Sequence, residues 1–462
     1  MNEEKGKKLN IFNLIMLGVG GCIGTGIFLL LGYGIAYTGR SIVVVVGVGC
    51  FYMLLAYWYT VAMTSVFVLR GGDYSMKQLV FPPLMIGVQA YFTLIMGMCF
   101  SSYAVATMDY LCVLFPGLEP YSKLGAAIIV VLVFAASIKG SRFITLIENY
   151  ITVILIIAMA VFIILGIPNV NFNDFFTNAD GGFWLGGVGG FISAIAVMGW
   201  ACQGTTTAIG MAAVTEKPKK NIPVSILITN VIITIIYVLM AYVAAGVVPY
   251  ETIAGQNISV AAEAFLPTPL FLFFVVGGGI CAVLSSMIGG VAYVRYPLLT
   301  AAEDGWYPNK FKNTTKDGYP YVIYIVIFII TLIPILTGLD LDTIVSLVMI
   351  PTMIINIYMN LQMIKIPNGY PDQWKKRSIH WPVWLWDTCS VIGAIFALVV
   401  AYNLFIDLSI GEAIGCVCIV AAIFGVSWLR LKQGAVSKEK LVKEKESILK
   451  LATKDDEELK NR

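Results

Sequence analysis

The sequence predicts an all-α polytopic membrane protein with twelve transmembrane helices. Hydrophobic residues make up 59% of the 462 positions and charged residues only 12%, a composition that soluble globular domains do not have. The apolar runs are too long and too numerous to be buried core helices, and a segment that spans lipid alone must be helical. The predicted spans are residues 11–35, 41–69, 84–114, 124–138, 143–167, 183–214, 222–248, 268–300, 320–337, 341–366, 382–406 and 410–431.

The segments that connect these spans alternate in charge. Lysines and arginines concentrate in every second segment, beginning with Lys5, Lys7 and Lys8, whereas the other segments carry mainly aspartate and glutamate. Because basic loops stay in the cytoplasm, the alternation predicts that both termini are cytoplasmic, and it supports the count of twelve. We therefore expect a multi-pass protein of the plasma membrane.

The first span has an unusual density of glycine. Gly18, Gly20, Gly21, Gly24 and Gly26 all lie within it, and each costs a helix about 1 kcal/mol relative to alanine. One interpretation is close helix packing, since small residues let transmembrane backbones touch. The other is a helix that is broken at mid-membrane and whose free N–H groups bind an anionic ligand.

A second glycine-broken stretch lies in the sixth span, where residues 199–204 read GWACQG. Five spans separate the two stretches, so they occupy corresponding positions of two halves with opposite orientation. Paired interruptions of this kind indicate the central site of a transporter and favour the broken-helix interpretation. Half-helix N-termini suit a carboxylate and half-helix carbonyl ends suit an ammonium group, which together predict a zwitterion, that is, an amino acid.

Three motifs resemble the amino acid–polyamine–organocation (APC) superfamily. Residues 20–28 (GGCIGTGIF) resemble its first-helix signature, residues 200–204 (WACQG) with 218–223 (PKKNIP) its sixth-helix motif and following loop, and residues 299–308 (LTAAEDGWYP) the end of its eighth helix. The resemblance implies a five-plus-five inverted repeat with broken helices 1 and 6, plus two C-terminal helices. The corresponding divisions are a cytoplasmic N-terminus 1–10, a first repeat 11–167, a second repeat 183–366, helices 11 and 12 at 382–431, and a charged cytoplasmic tail 432–462.

The resemblance also implies which residues bind the substrate. The first break is expected to receive the substrate carboxylate, at Gly24, Thr25 and Gly26. The second break is expected to receive the amino group, and the site residues there are Trp200, Ala201, Cys202, Gln203 and Gly204. One departure is Thr206, because the family usually has a glutamate at this position. Trp200 itself has two interpretations, a lid stacked on the substrate or a packing residue of the bundle.

The eighth span contains a candidate cation site. Ala282, Ser285 and Ser286 share one helix face, so one carbonyl and two hydroxyl oxygens can point at the first break. Oxygen ligands suit a hard monovalent cation, and the spacing is similar to that of sodium-coupled relatives of this fold. Packed serines are the alternative interpretation. The fifth span lacks the lysine of some proton-linked members, so Na⁺ coupling, H⁺ coupling and cation-independent exchange stay open, and no other cofactor is expected.

Several other classes of function do not fit the sequence. The single histidine, His380, lies in a polar loop, so neither a metal site nor an intramembrane catalytic pair is expected. No Walker A sequence is present, which argues against an ATP-driven pump. We expect a secondary transporter rather than an enzyme, with a small-molecule amino-acid substrate, surrounding membrane lipid and no nucleic-acid partner. An amino-acid or polyamine exchanger and a transporter-derived sensor are the alternatives, and the sequence indicates no oligomeric state.

The tail after the last span changes character. Residues 437–450 combine lysine–glutamate pairs with a weak apolar stripe of Leu441, Val442, Ile448 and Leu449. The pairs support a helix, and the charge pattern predicts that it is solvated, a partner-binding or membrane-surface helix being the alternative. At the end of the eighth span, Glu303 and Asp304 are expected to pair with Lys310 or with the 217–220 loop.

Overall fold

The chain folds into helices joined by short loops, which confirms the predicted all-α fold class. The computed structural model describes residues 8–454 except 29, 139–140, 179–181, 316–318, 340 and 407, so the outer ends of the predicted N-terminus and tail lie outside the described residues. Eleven helical stretches in this part of the chain, several of them built from consecutive helical segments, are long and apolar enough to cross a membrane. A further predicted span corresponds to Tyr321–Thr337, whose 17 residues reach about 26 Å of a ~30 Å apolar core. The count of twelve and the inverted repeat stay predictions.

The described chain contains twenty-five α-helical segments, several of them short, besides 3-10 and π-helical segments and loops. The first ten are α1 (Ile11–Cys22), α2 (Thr25–Phe28), α3 (Leu30–Thr38), α4 (Ile42–Ala56), α5 (Trp58–Val66), α6 (Gly72–Val80), α7 (Pro83–Ile95), α8 (Cys99–Leu114), α9 (Ser122–Ser137) and α10 (Ser141–Gly166). The next ten are α11 (Phe172–Phe175), α12 (Gly187–Cys202), α13 (Pro218–Gly246), α14 (Tyr250–Ile253), α15 (Ser259–Phe265), α16 (Thr268–Phe273), α17 (Cys281–Tyr293), α18 (Arg295–Glu303), α19 (Tyr321–Thr337) and α20 (Leu341–Met363). The last five are α21 (Ile366–Gly369), α22 (Pro371–Lys375), α23 (Val383–Ile406), α24 (Ile410–Lys432) and α25 (Lys438–Ala452).

Both predicted interruptions occur in the structure. Helix α1 ends at Cys22, Ile23 is extended with φ −79° and ψ 106°, and α2 begins at Thr25. The sixth predicted span changes from α12 to a 3-10 segment, Gln203–Val214. A 3-10 run of 12 residues is long for a conformation with poor hydrogen-bond geometry, and such runs often mark hinges. The glycine-rich stretches of the two spans therefore contain the interruptions.

The interrupted helices lie at the centre of the bundle. Helix α1 packs against α13 and the 3-10 segment, and α12 packs against α3, α4 and α23. The outer helices expose large apolar side chains instead, among them Ile410 at 82%, Leu336 at 71% and Trp384 at 68%. Exposed apolar side chains of this kind suit a lipid environment.

Both described ends of the chain lie on one face, which we call the terminal face. Leu9 forms an isolated parallel bridge with Thr215, and the Lys219 ammonium donates to the carbonyl oxygen of Ala452 over 2.9 Å. Helix α13 runs from this face to the opposite one, where α11 and α14 lie near its end at Gly246. We call that opposite face the distal face.

The tail helix α25 is docked on the terminal face. The side chains of Leu441, Ile448 and Ala452 are buried, and α25 packs against α6. The prediction of a solvated helix is therefore wrong for this side of α25, because the weak apolar stripe has a partner within the chain. Asp304 pairs with Lys440 of α25, with 3.4 Å between Oδ1 and Nζ, instead of the partners that the sequence suggested.

Candidate functional site

A cavity of about 220 Å³ lies between the two interruptions. Its wall includes Gly24 and Gly26 at the first break and Trp200 and Gly204 at the second. From there the cavity extends to Asp73 on α6, beside the terminal face. The backbones of both breaks and the helix α6 therefore border one space.

The two breaks touch each other through their backbones. A Cβ atom placed on Gly26 would lie 2.2 Å from the Cα atom of Ala201, and one placed on Gly204 would lie 2.5 Å from that of Cys22. Carbon atoms without a bond between them do not approach so closely, so only glycine permits this crossing. The close-packing interpretation of the glycines thus has direct support at Gly26 and Gly204, alongside the broken helices.

Side-chain donors reach backbone carbonyl groups at the two breaks. The Tyr237 hydroxyl on α13 lies 2.8 Å from the carbonyl oxygen of Cys22 and 3.3 Å from that of Ala201. The Cys22 thiol donates to the Ala201 carbonyl over 3.0 Å, and the Ser286 hydroxyl donates to the Ile23 carbonyl over 3.1 Å. A buried carbonyl without a donor costs about 1–3 kcal/mol, so these contacts stabilise the interrupted conformation.

The predicted substrate residues do not all face the cavity. Ala201 lies behind Gly26, and the thiol of Cys202 packs 2.9 Å from the thiol of Cys50 on α4. The side chains of Thr25 and Gln203 lie outside the described residues. The members of the predicted set that line the cavity are Gly24, Gly26, Trp200 and Gly204.

Aromatic and apolar side chains surround the space next to the second break. The rings of Trp200 and Tyr103 lie 6.4 Å apart, with 38° between their planes, and Phe100 and Met96 also border the cavity. Thr206 borders it too, so a hydroxyl stands where the superfamily usually has a carboxylate. This part of the wall is therefore neutral among the described lining residues.

Two of the three predicted cation ligands, Ser286 and Ala282, lie beside the first break. A Cβ atom placed on Gly24 would lie 2.2 Å from Ser286 Oγ and 3.7 Å from the carbonyl oxygen of Ala282. The Ser286 hydroxyl already donates a hydrogen bond to the carbonyl oxygen of Ile23. The hydroxyl of Ser285 is buried and has no hydrogen-bond partner among the described residues. An unpaired buried hydroxyl is uncommon in folded proteins and needs an explanation.

A layer of aromatic side chains lies between the breaks and the distal face. The ring of Phe28 on α2 packs against those of Tyr110 and Phe274, with centroids 6.2 and 5.7 Å apart. The Tyr110 hydroxyl and the backbone N–H of Ile258 both donate to the Phe28 carbonyl, over 2.5 and 3.2 Å. This layer separates the cavity from the distal face.

Sequence reasoning missed Tyr237 and the charged pair Asp73 and Lys77. Tyr237 is a fully buried tyrosine in an apolar stretch of α13, and a buried tyrosine normally needs a hydrogen-bond partner, which was a usable signal. The spacing of Asp73 and Lys77 is that of any solvated helix pair. Nothing in the sequence therefore indicated that they face a cavity.

Comparison with known proteins agrees with this architecture. A family model described as amino acid permease matches residues 9–428. The chain belongs to the amino acid permease family. This confirms the resemblance to the APC superfamily and makes the protein a transporter rather than an enzyme.

Relatives of this permease include several curated transporters. The branched-chain amino acid permease BcaP of Bacillus subtilis is 23% identical over 433 residues, which cover 88% of each chain. The methylthioribose transporter of Bacillus subtilis is 25% identical over 336 residues, 67% of the permease and 70% of the relative. The putrescine transporter PotE of Escherichia coli is 27% identical over 153 residues, 33% of the permease and 34% of the relative.

Proposed function

We propose that this permease is a secondary transporter that carries amino acids across the plasma membrane by alternating access. The observation that supports the proposal most is the meeting of two helix breaks at one cavity. In this proposal the terminal face is cytoplasmic, in agreement with the alternation of basic loops. The cavity extends toward the terminal face and an aromatic layer covers its distal side, so the conformation is an inward-facing one.

The two breaks bind the two charged ends of the substrate. The carboxylate accepts hydrogen bonds from the backbone N–H groups of residues 24–26, at the start of α2, because the first N–H groups of a helix have no intrahelical acceptor. The amino group donates to carbonyl oxygens at the second break. Because the Ala201 carbonyl already accepts the Cys22 thiol, the carbonyls of Trp200 and Gln203 are the acceptors in this proposal.

The substrate side chain is neutral. It packs against the rings of Trp200 and Tyr103, in the part of the cavity that Phe100 and Met96 also border. A charged side chain there would lose its hydration without gaining a counter-ion. The name of the relative BcaP supports the same substrate class.

Uptake of radiolabelled amino acids into proteoliposomes tests the proposal. L-leucine and L-alanine are expected to enter at least about tenfold faster than L-lysine and L-glutamate, since burying an unpaired charge is costly. Trp200→Ala is expected to reduce this uptake, and Trp428→Ala, on the exposed side of α24, is the matched control. The absence of saturable uptake of any amino acid, with empty or with amino-acid-loaded vesicles, contradicts the proposal.

Sodium is the coupling ion that the unpaired Ser285 hydroxyl supports. Ser285 lies beside Ser286 and Ala282, whose oxygens approach the first break. Ser285→Ala removes a hydroxyl without a partner, so it is expected to leave the fold intact and to lower sodium-driven uptake. Ser427→Ala, on α24, is the control. If the rate of wild-type uptake does not change with an imposed sodium gradient but rises when the vesicles contain amino acids, the permease is a cation-independent exchanger. In that case the sodium site does not exist.

A further inference from the structure

Two charged residues border the cavity at its terminal-face end. Asp73 and Lys77 are the charged members of the cavity wall in the described part of the chain. Lys77 Nζ lies 2.6 Å from Asp73 Oδ2, and Gln89 Nε2 lies 3.3 Å from the same oxygen. We call Asp73, Lys77 and Gln89 the inner cluster, which α6 and α7 hold together.

The inner cluster differs from a solvated pair of charges. The side chains of Lys77 and Asp73 are 7% and 22% exposed, and Gln89 is 2% exposed. Helix pairs at this spacing usually lie on a solvated face and contribute only about 0.3–0.5 kcal/mol. Keeping an ammonium group in a largely desolvated wall costs more than such a pair returns, so helix stability alone does not account for the arrangement.

The inner cluster also has unused hydrogen-bonding capacity. One N–H of the Lys77 ammonium donates to Asp73, and no described residue accepts from the other two. The amide nitrogen of Gln89 donates to Asp73 and to Thr93, but its oxygen Oε1 is buried without a partner. Cationic donors, a carboxylate and an amide oxygen therefore border one space. Together they complement the carboxylate and ammonium groups of a zwitterion.

The inner cluster lies on the way from the breaks to the terminal face. The cavity runs from Gly24 and Trp200 at the breaks to Asp73 and Lys77. We propose that the inner cluster is a second binding station for the amino acid, with the substrate ammonium at Asp73 and the substrate carboxylate at Lys77. The ion pair opens to admit the zwitterion and closes after its release, so neither charge is left without a partner. This proposal rests on the proposed function.

The test compares L-leucine transport from the two faces of the permease. It uses right-side-out and inside-out membrane vesicles from cells that express the protein. The variant Asp73→Asn/Lys77→Gln removes both charges together, so neither is left buried without its partner. Relative to wild type, the half-saturating L-leucine concentration of this variant is expected to rise about tenfold at the terminal face, because a charge-assisted contact with the substrate is lost. At the distal face it is expected to stay within about twofold of the wild-type value.

The matched control is Glu439→Gln/Lys443→Gln, an exposed pair of the same spacing and polarity on α25, which is expected to change neither concentration. If the double variant of the inner cluster equals wild type at the terminal face, the second station is overturned and the proposed function stands. A rise of the same size at both faces also overturns it, because the variant then disturbs the central site. If wild-type vesicles transport neither L-leucine nor any other amino acid, the proposed function fails and the second binding station fails with it.

Discussion

At the scale of single residues, Tyr237 connects the two breaks. Its hydroxyl lies 2.8 Å from the carbonyl oxygen of Cys22 and 3.3 Å from that of Ala201. One side chain of α13 therefore holds both interrupted helices. A change in the relative position of the breaks is expected to alter at least one of these distances, so we expect Tyr237 to act as a positioning residue for the proposed central site.

Tyr237→Phe is expected to slow transport. The change removes the shared hydroxyl and leaves the Cys22 carbonyl without this donor, so we expect about a tenfold lower initial uptake rate, the equivalent of one hydrogen bond. The unfolding temperature in detergent is expected to fall only slightly. Tyr242→Phe is the control, since that ring lies on the same helix and packs against Phe175, 4.6 Å away, near the distal face. Equal uptake rates in the Tyr237 and Tyr242 variants contradict the positioning role.

Some of these residues could be predicted from the sequence and others could not. Gly24 and Gly26 stood out because glycine is costly inside an apolar helix. The partner that Gly26 needs, Ala201, lies far along the chain, and a contact between distant segments leaves no pattern within either one. Tyr237 and Lys77 differ from ordinary packing and surface residues only through what the fold places beside them.

At the scale of elements, the structure contains a helix irregularity that the hydropathy pattern does not indicate. The π-helical segment Phe274–Ile280 lies inside a predicted span that reads as one continuous helix. A Cβ atom placed on Gly279 would lie 2.5 Å from the Tyr110 ring, and one on Gly278 would lie 3.1 Å from the Phe28 ring. Close approach of these rings is a property of the folded bundle. Hydropathy, which identified the span, carries no information about this local hydrogen-bond register.

The tail helix α25 is anchored at Asp304. The Tyr74 hydroxyl and the Gln78 amide donate to Oδ2 of this aspartate, over 2.8 and 2.7 Å, and Lys440 lies 3.4 Å from Oδ1. Glu444 is next to the same group and accepts from Gln78 over 3.2 Å. Burial, together with the nearby charge of Glu444, raises the pKa of Asp304 to about 7, although the hydrogen bond from Tyr74 and the charge of Lys440 act in the opposite direction.

Docking of α25 is therefore expected to weaken at high pH. Undocking of α25 is expected to expose Asp304 to water and to return its pKa toward its ordinary value near 4. Because the pKa in the docked state is about 7, the contribution of Asp304 to docking is complete below about pH 4 and is lost as the pH rises through about 7. Spin labels at Glu446 and Lys310, in a background without native cysteines, report the distance from α25 to the terminal face. We expect the distribution of this distance to become broader as the pH is raised from about 5.5 to about 8.5. Asp304→Asn, whose side chain is neutral at every pH, is expected to abolish this change. If the distance in the parent protein does not depend on pH, the role of Asp304 is contradicted.

At the scale of the whole molecule, the alternation of basic loops predicts the orientation in the membrane, with the terminal face in the cytoplasm. A single cysteine in place of Glu251, exposed on the distal face, is expected to react with an impermeant thiol reagent added outside intact cells. A cysteine in place of Lys310, exposed at the terminal face, is expected to react only after the membrane is opened. Lys219 does not suit this purpose because it is buried and donates to Ala452. The reverse labelling pattern contradicts the orientation.

The general architecture was accessible from the sequence because lipid admits few backbone solutions, and long apolar runs must become helices. The docking of α25 could not be predicted from the sequence, because the apolar stripe that contains Leu441 and Ile448 is too weak to indicate which surface it contacts. The open direction of the cavity was not accessible either. It depends on how Phe28, Tyr110 and Phe274 pack together, which is a property of one conformation among those that a transporter adopts.

In the proposed function, the two breaks bind the two ends of one amino acid. The most direct measurement is a cryo-electron microscopy map of the permease in lipid nanodiscs at saturating L-leucine. We expect density that places the carboxylate about 3 Å from the N–H groups of residues 24–26 and the amino group at the carbonyls of Trp200 and Gln203, with the side chain against Tyr103. L-leucine density elsewhere in the cavity, with both breaks unoccupied, contradicts it.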